Sequence, residues 1–406
     1  MVMKTGIITV GNELLTGFID DTNASWLGRA LTAIGLPPVW HLTVSDNREE
    51  IKSALATIPT NITDVIITGG LGPTPDDITM KTVADFYGFD LEYDEKYWKS
   101  LAQRFKRSGR TIPEINKNQA FVLVGPEIIP NPVGSARGAL INQNNQRLYI
   151  LPGVPIEMKA MYTATILPLI KPENVVAKVS VLRTTGIMES ALAEKLVNIN
   201  SNFPTVTMAY LPRITGVDIR LIGNDQVEIE GFKLEVERIA GDYIYGYEDT
   251  ELEDVVGELL TKEKLTIATA ESCTGGLVSH RLTQTPGSSD YFMGSIVAYS
   301  NNIKMNLLDV QESTLLKYGA VSEETVVEMA IGARTRLGTD IGIATTGIAG
   351  PGGGTPEKPV GLVYIGLATE KRVKTRKFIF HFNRQLNKLL TSQVALNMIR
   401  LELKNA

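Results

Sequence analysis

Short apolar runs alternate with amphipathic segments over most of this chain, and that alternation limits the possible folds more than any other feature. In the first 170 residues, runs at 5–10 and 64–68 have the length and composition of buried strands. Between them, residues 22–34 repeat their apolar side chains with the period of a helix. The same order returns after residue 250, from a predicted strand at 265–270 to a predicted helix at 384–403. Strands that alternate with helices favour a parallel sheet covered on both faces, so both ends of the chain are predicted to be α/β.

The part between them has a different pattern. It contains a predicted strand at 175–185, a helix at 189–199, an extended stretch at 205–221 that is interrupted at Pro212 and Gly216, and a helix at 227–240. Short helices and a changing period predict a compact α+β module. We therefore expect three domains, at residues 1–171, 172–248 and 249–406.

Composition argues against several classes of function. The chain has 406 residues and a net charge of −5, whereas a general nucleic-acid binder carries an excess of Lys and Arg. No apolar run reaches the length of a membrane helix, and the first residues lack the pattern of a signal peptide. The single cysteine, Cys273, excludes an intrachain disulfide and fits a reducing compartment. We expect a cytoplasmic protein with no nucleic-acid or membrane partner.

Three loops of the N-terminal part follow predicted strands and suit a phosphate ligand. Ligands of parallel sheets bind at the carboxyl ends of strands, and glycines let backbone N–H groups approach a phosphate closely. The candidate nucleotide-binding residues are Gly11, Asn12, Glu13, Gly69, Gly70, Gly72, Thr74, Pro152 and Gly153. The acids Asp76, Asp77 and Glu13 are oxygen ligands suited to a divalent metal beside a diphosphate. The simpler interpretation, glycine and proline turns with solvated acids, stays open.

In the C-terminal part, residues 269–276 lead from a predicted strand through a small polar turn into a predicted helix. That order places Ser272 and the next amides at a helix N-terminus, which suits a developing oxyanion. His280 lies eight residues further on, about 12 Å away along the helix, and is too far to act as the base. Cys273 is a rival nucleophile, although no histidine is placed to hold it as a thiolate.

Lys304 is the better candidate for the base. Asn301 or Asn302 caps a predicted helix, which puts Lys304 in its first turn. Partial burial at that position lowers the pKa of a lysine and lets it act as a base. Ser272, Lys304 and Tyr299 thus form a candidate acyl-transfer site. A serine N-cap beside a surface lysine is the plainer alternative.

A loop with five glycines in eight residues, 347–354, follows the predicted strand at 341–345. Because it lies in the domain that holds Ser272, its amides could cradle the 5′-phosphate of a nucleotide. Arg384, at the start of the last predicted helix, is a possible second phosphate contact. By composition alone the loop could equally be a disordered surface segment.

Three motifs of the C-terminal part occur in order and resemble those of one known family. They are Glu271-Ser-Cys-Thr-Gly-Gly, Tyr299-Ser-Asn-Asn-Ile-Lys304 and Thr346-Gly-Ile-Ala-Gly-Pro-Gly-Gly-Gly. They resemble the CinA C-terminal domain, a family that includes the nicotinamide mononucleotide amidohydrolases. The resemblance implies hydrolysis of nicotinamide mononucleotide to nicotinic acid mononucleotide and ammonia, without a cofactor.

The same resemblance implies roles for individual residues. Ser272 would be the nucleophile, Lys304 its base, and Tyr299 an orienting or proton-relay group. Substrate contacts would come from Cys273, Thr274, Gly275, Gly276, Gly347, Gly350, Gly352, Gly353 and Arg384.

The N-terminal loops resemble the three-layer MogA/MoeA molybdopterin-binding fold. Gly69-Gly-Leu-Gly followed by Asp77 and Thr79 is similar to its G-G-T-G…D-x-T motif. The sequence departs from that pattern in two places: Leu71 replaces a threonine, and Asp76 stands where those proteins often carry arginine. An acid in place of a base disfavours an anionic pterin phosphate.

The same stretch resembles the CinA N-terminal domain instead, which is associated with metal-dependent ADP-ribose pyrophosphatase activity. That resemblance implies cleavage of ADP-ribose to AMP and ribose 5-phosphate with a divalent metal (Mg, Mn or Co). Asp76 and Asp77 would hold or lie near the metal, and Glu13 would be a second ligand or orient the water.

The middle module resembles the KH-like domain of CinA relatives. The G-x-x-G loop with which KH domains clamp RNA is not evident, so a spacer or dimerisation role is expected. Related proteins are dimers, and a homodimer is expected here. The main alternative is a non-catalytic nucleotide- or pterin-binding module in a competence or DNA-damage accessory protein. A third possibility is that one half has lost activity and stabilises the other.

Overall fold

The computed structural model describes residues 3–171 and 178–404 of the 406-residue chain. The chain divides into two compact units, residues 1–179 and 180–406, and each is described by itself. Within the described residues, no helix is both long enough and apolar enough to cross a membrane.

The N-terminal unit is built on one six-stranded sheet. The strands of the unit, in that sheet and in a separate two-stranded ribbon, are β1 (Thr5–Val10), β2 (Pro38–Val44), β3 (Asp64–Thr68), β4 (Leu91–Tyr93), β5 (Phe121–Leu123), β6 (Glu127–Ile129), β7 (Gly138–Gln143) and β8 (Gln146–Leu151). Its helices are α1 (Asn12–Leu15), α2 (Thr22–Ala33), α3 (Arg48–Ala56), α4 (Thr79–Tyr87), α5 (Glu95–Arg107), α6 (Pro155–Met161) and α7 (Leu167–Ile170). The sheet runs in the order β2-β1-β3-β8-β7-β6, with β2, β1, β3 and β8 parallel, while β4 and β5 form a separate ribbon.

The core of this unit lies on both faces of the sheet. One apolar cluster includes Ile8, Val65 and Ile150, and the other includes Ile7, Ile66 and Tyr149. Successive residues of β1, β3 and β8 thus point to opposite faces and are buried on both, as a sheet covered by helices requires. Strands β1, β3 and β8 are neighbours in the sheet and run parallel, so the loops that follow them lie side by side.

The second unit begins with a small four-stranded domain. Its elements are β9 (Lys178–Thr184), α8 (Glu189–Leu196), β10 (Thr207–Arg213), β11 (Gly216–Gly223), α9 (Gln226–Ala240) and β12 (Ile244–Tyr247). The sheet order is β10-β11-β9-β12, with both helices packed on its apolar side. Residues 175–177 of the predicted first strand lie outside the described part of the chain.

The rest of the second unit is an α/β domain with a five-stranded sheet. Its elements are α10 (Leu252–Glu263), β13 (Ile267–Glu271), α11 (Leu277–Leu282), β14 (Phe292–Val297), α12 (Asn301–Leu308), α13 (Glu312–Tyr318), α14 (Glu323–Leu337), β15 (Ile341–Gly347), β16 (Leu362–Ala368), β17 (Val373–Ile379) and α15 (Arg384–Lys404). The sheet order is β14-β13-β15-β16-β17, and the first three strands are parallel. Helices α10, α11 and α15 cover one face, and α12, α13 and α14 cover the other.

The last helix also joins the two domains of the second unit. Arg400 of α15 is 3% exposed, and its guanidinium donates to the carbonyls of Ile244 and Asp242 at 3.0 and 2.6 Å. Gln393, on the same helix, donates to the hydroxyl of Thr185 at 3.2 Å. These buried polar contacts attach the small domain to the helix that ends the chain.

The predicted fold class is confirmed: in chain order, an α/β domain, a small α+β module and a second α/β domain follow one another. The differences lie in short elements. The strands β4 to β7 and β12 and the helices α1, α4 and α13 were not predicted. Residues 155–170 form one helical segment, in which α6 and α7 are joined by a wider π-type turn at Tyr162–Ile166.

The Gly69 position generates a stability prediction. Its φ is +119°, and a methyl group added there would lie 2.1 Å from the carbonyl oxygen of Val10. Gly88 also has a positive φ, +76°, but a methyl group there meets open space. Gly69→Ala should lower the free energy of unfolding by about 3 kcal/mol or more, and Gly88→Ala by about 1 kcal/mol.

Urea unfolding followed by tryptophan fluorescence measures this, because Trp26, Trp40 and Trp98 all lie in the N-terminal unit. Equal midpoints for the two variants would show that the close approach of Gly69 to β1 has no energetic weight.

Candidate functional site

Ser272 lies directly after β13, in a turn that is fixed to the neighbouring strand. Its N–H donates to the carbonyl of Thr345 in β15 at 2.9 Å. The hydroxyls of Thr274 and Thr345 share a hydrogen bond of 2.7 Å. Ser272 is 9% exposed and Thr274 is fully buried, so the turn is held from both ends while the serine borders the surface.

Lys304 reaches Ser272 from the helix that follows β14. Ser300, not Asn301 or Asn302, caps this helix by accepting from the N–H of Ile303. Lys304 is 1% exposed, and its Nζ lies 3.1 Å from the Oγ of Ser272. The structure therefore brings together the two side chains that sequence analysis paired across 32 residues.

The surroundings of this amine favour its neutral form. Burial lowers the pKa of Lys304 from its ordinary value of 10.5, and only the nearby thiol of Cys273 acts in the other direction. The Nζ also donates to the carbonyls of Ala298 and Tyr299 at 2.7 and 3.3 Å. A neutral amine has two N–H bonds and one lone pair, so with both carbonyls occupied the lone pair is left for the hydroxyl of Ser272.

Cys273, the rival nucleophile, is unsuited to that role. The residue is 6% exposed, and burial raises the pKa of its thiol to about 12. The reactive form of cysteine is the thiolate, which is scarce at neutral pH with such a pKa. The side chains of Cys273 and Thr274 face the interior. Of these two predicted substrate contacts, only the backbone groups therefore remain available to a substrate.

The expectation that the helix N-terminus after Ser272 holds the oxyanion is wrong, because a carboxylate already occupies it. Glu271 is fully buried and accepts from the N–H groups of Gly276, Val278 and Ser279 at 2.9, 3.1 and 2.8 Å. It also accepts from the hydroxyl of Ser279. Helix α11 starts only at Leu277, five residues after the serine. The amides closer to Ser272, in the turn 273–275, are the remaining candidates.

Tyr299 is placed differently from the prediction. Its ring is 62% exposed, and its hydroxyl accepts from the guanidinium of Arg384 at 3.0 Å, whereas its backbone carbonyl contacts Lys304. Arg384 donates a second bond to the carbonyl of Gly350 at 2.8 Å. The arginine thus links the tyrosine to the glycine-rich loop, and the phenol makes no hydrogen bond with Ser272 or Lys304 in this structure.

The glycine-rich loop is ordered rather than disordered. The backbone of Ile348 pairs with Leu362 and Gly361 at 2.8 and 2.7 Å. Asn387, fully buried in α15 and missed by sequence analysis, donates to the carbonyl of Ala349 at 3.1 Å. Gly347 and Gly350 are packed against the protein, while Gly352 and Gly353 are exposed. The exposed glycines are the part of the loop open to a ligand.

The N-terminal unit has a cavity of about 430 Å³ where the loops after β1, β3 and β8 meet. Six predicted residues line it: Glu13, Gly69, Gly70, Gly72, Pro152 and Gly153. The other three brace it instead. The N–H of Gly11 donates to the carbonyl of Val44, that of Asn12 to Asp46, and that of Thr74 to Asp77, at 3.0, 2.9 and 2.9 Å.

Five carboxylates line this cavity, and two of them, Asp46 and Glu157, were not predicted. Burial raises the pKa of Asp46, and the charges of Glu13, Asp76 and Asp77 raise it further. Carboxylates that repel one another in this way are oxygen ligands of the type that binds a divalent cation. However, among residues 3–171 and 178–404 no three carboxylate, cysteine or histidine side chains lie close enough to hold a metal ion. Asp77 is bound to Thr74, and Asp76 points to solvent.

Comparison with known proteins matches the chain in three parts. Residues 6–172 match the family model "Probable molybdopterin binding domain", 180–246 the "Damage-inducible protein CinA KH domain", and 249–403 the "CinA C-terminal domain". A CinA-like protein of Chloroherpeton thalassium is 42% identical over 421 residues, covering 100% of both chains. One of Dictyoglomus thermophilum is 40% identical over 410 residues, covering 99% of this chain and 100% of its own.

Among solved structures, a competence/damage inducible protein, CihA, from Agrobacterium tumefaciens is 36% identical with a TM-score of 0.36. The match covers 38% of this chain and 97% of that one.

The surroundings of Lys304 generate a direct prediction. In lysine-directed NMR of the full chain, one side-chain resonance should titrate below 10.5 and disappear in Lys304→Met. Ser272→Ala should leave the lowered value in place, because burial, not the hydroxyl, is its main cause. A Lys304 resonance that titrates at or above the ordinary value would contradict a buried amine.

Proposed function

The chain belongs to the CinA family, and from that premise we propose that its C-terminal domain hydrolyses the carboxamide of nicotinamide mononucleotide. The products are nicotinic acid mononucleotide and ammonia. The observation that supports this most directly is the buried amine of Lys304, 3.1 Å from the hydroxyl of Ser272. A serine needs a base to attack an amide; this amine is near enough to serve, and burial lowers its pKa in the direction that a base requires.

The proposed reaction proceeds in two halves. Neutral Lys304 takes the proton of Ser272 as the Oγ attacks the carboxamide carbon, and the resulting ammonium returns the proton to the leaving nitrogen, which departs as ammonia. The acyl ester on Ser272 is then hydrolysed by a water that Lys304 deprotonates in the same way. The N–H groups of residues 273–275 are the proposed donors to the oxyanion, since Glu271 occupies those that follow.

For the N-terminal domain, we propose cleavage of ADP-ribose to AMP and ribose 5-phosphate with a divalent metal (Mg, Mn or Co). The cavity at the strand ends supports it, because glycine amides suit a diphosphate and the acids suit a cation. Glu13, Asp46, Asp76 and Asp77 are the residues that would hold the metal, after movement of side chains that are now apart. When bound, such a cation would neutralise the diphosphate.

The proposal includes a cytoplasmic homodimer that acts on small nucleotides, with neither nucleic acid nor membrane as partner. The net charge of −5 argues against a nucleic-acid partner, and the single, buried cysteine fits a reducing compartment. The alternative, a non-catalytic nucleotide- or pterin-binding N-terminal module, predicts ligand binding without turnover.

The serine and its neighbour provide a matched test of the amidase. Ser272→Ala should lower ammonia release from nicotinamide mononucleotide by about 10³-fold or more, because the attacking group is lost. Cys273→Ala should keep most of the activity, since its thiol is protonated. Ammonia release is measured with an enzyme-coupled assay, and circular dichroism checks the fold. Loss in the cysteine variant with activity in the serine variant would reverse the assignment.

The pH dependence tests the base in the same assay. Because the neutral amine is the active form, kcat/KM should rise as the pH rises through the folded-state pKa of Lys304, which burial lowers from 10.5. The midpoint should agree with the NMR titration of this residue, and a different midpoint would assign the base elsewhere.

The N-terminal activity has its own test. Asp77→Asn should reduce metal-dependent release of AMP from ADP-ribose, and a chelator should abolish it in the parent protein. Glu92→Gln, an exposed acid of the same unit that does not line the cavity, is the matched control. Product chromatography measures both compounds. Cleavage that survives the chelator, or full activity in Asp77→Asn, would count against a metal-dependent site.

A further inference from the structure

One cation beside the Ser272 turn has no role in the proposed chemistry. Lys388 lies on α15, four residues after Arg384, and is half-buried. Its Nζ comes close to the turn after Ser272: a methyl group placed on Gly275 would lie 3.6 Å from it. Within the described residues, this ammonium forms no hydrogen bond and no ion pair.

Lys388 differs in this respect from Arg384, which sequence analysis assigned to the phosphate. Two nitrogens of the Arg384 guanidinium are already bound to the carbonyl of Gly350 and the hydroxyl of Tyr299. Residues four apart on a helix share a face, so the two cations line the same side of the site. One of them is committed to holding the loop and the tyrosine, and the other is free.

The start of α15 is fixed well enough to make Lys388 a defined part of the site. The side chain of Asn383 accepts from the N–H of Leu386 at 3.0 Å and begins the helix. Asn387 ties the next turn to the carbonyl of Ala349 in the glycine-rich loop. The backbone of Lys388 is therefore held, while its long side chain can adjust to a ligand.

We propose that Lys388 binds the 5′-phosphate of the mononucleotide, and that Arg384 holds the loop around it. The proposal rests on the amidase function proposed above. Gly275 is three residues from Ser272, a span of at most about 11 Å, so a nucleotide with its carboxamide at Ser272 can extend to the ammonium. The exposed, side-chain-free Gly275 leaves the space between them open.

The consequence is selectivity for the phosphorylated substrate. A site that holds a phosphate with a dedicated cation discriminates against the nucleoside that lacks it, because the cation then gains no partner. Lys388 would act in substrate binding and not in proton transfer, so its loss should appear in KM and not in kcat.

The test compares two substrates in the full chain: nicotinamide mononucleotide and its nucleoside, nicotinamide riboside. Lys388→Met should raise KM for the mononucleotide by about 10- to 100-fold, with kcat changed by less than about threefold. Lys388→Arg should recover most of the loss, and turnover of the nucleoside should be unchanged in both variants. Lys371→Met is the matched control, because this exposed lysine lies in the turn between β16 and β17, at the opposite end of the sheet.

The phosphate contact is overturned if Lys388→Met leaves KM for the mononucleotide unchanged. It is also overturned if the variant lowers kcat/KM equally for the mononucleotide and the nucleoside. If the parent protein releases no ammonia from either compound, the amidase proposal fails by itself. The phosphate subsite is then decided by calorimetric titration of parent and Lys388→Met with ribose 5-phosphate. Loss of one binding equivalent supports it, and identical isotherms overturn it.

Discussion

The site depends on keeping one lysine amine inside the protein. Burying an ammonium group is costly unless its charge is paired, and no carboxylate contacts the Nζ of Lys304 within the described residues. The cost falls when the amine is neutral, and burial accordingly lowers the pKa of Lys304. The end of β14 and the start of α12 supply the two backbone carbonyls to which the Nζ donates, and β13 supplies the serine. Burial of this side chain thereby favours the protonation state that the proposed chemistry needs.

The same arrangement of elements occurs in both α/β domains. In the N-terminal unit, loops after three adjacent parallel strands enclose the cavity. In the C-terminal domain, the segments after β13, β14 and β15 bring Ser272, Lys304 and the glycine-rich loop to one edge of the sheet. The carboxyl ends of parallel strands meet at one edge, so residues distant in sequence converge there. Few side chains besides those at the edge are needed to form either site.

The sequence allowed prediction of features that depend on residue type, but not of those that depend on where a side chain points in the folded chain. Strands β1, β3 and β15 are short, largely apolar runs, and the serine was paired with the lysine after His280 was judged too far away. The path of the Glu271 side chain could not be predicted, because it bonds to amides five to eight residues ahead of it. Asp46 and Lys388 were missed for a related reason: each is an ordinary charged residue until a loop from another strand is placed beside it. The phenol of Tyr299 turned outward because Arg384, 85 residues later, binds it.

The last helix has a consequence for how the two domains of the second unit communicate. Its first turns hold Arg384 and Lys388, and near its end Arg400 is bonded to the backbone of the small domain. A helix of this length, 21 residues, extends for about 30 Å and bends little. A displacement of the small domain would therefore also be transmitted along this helix to Arg384 and Lys388.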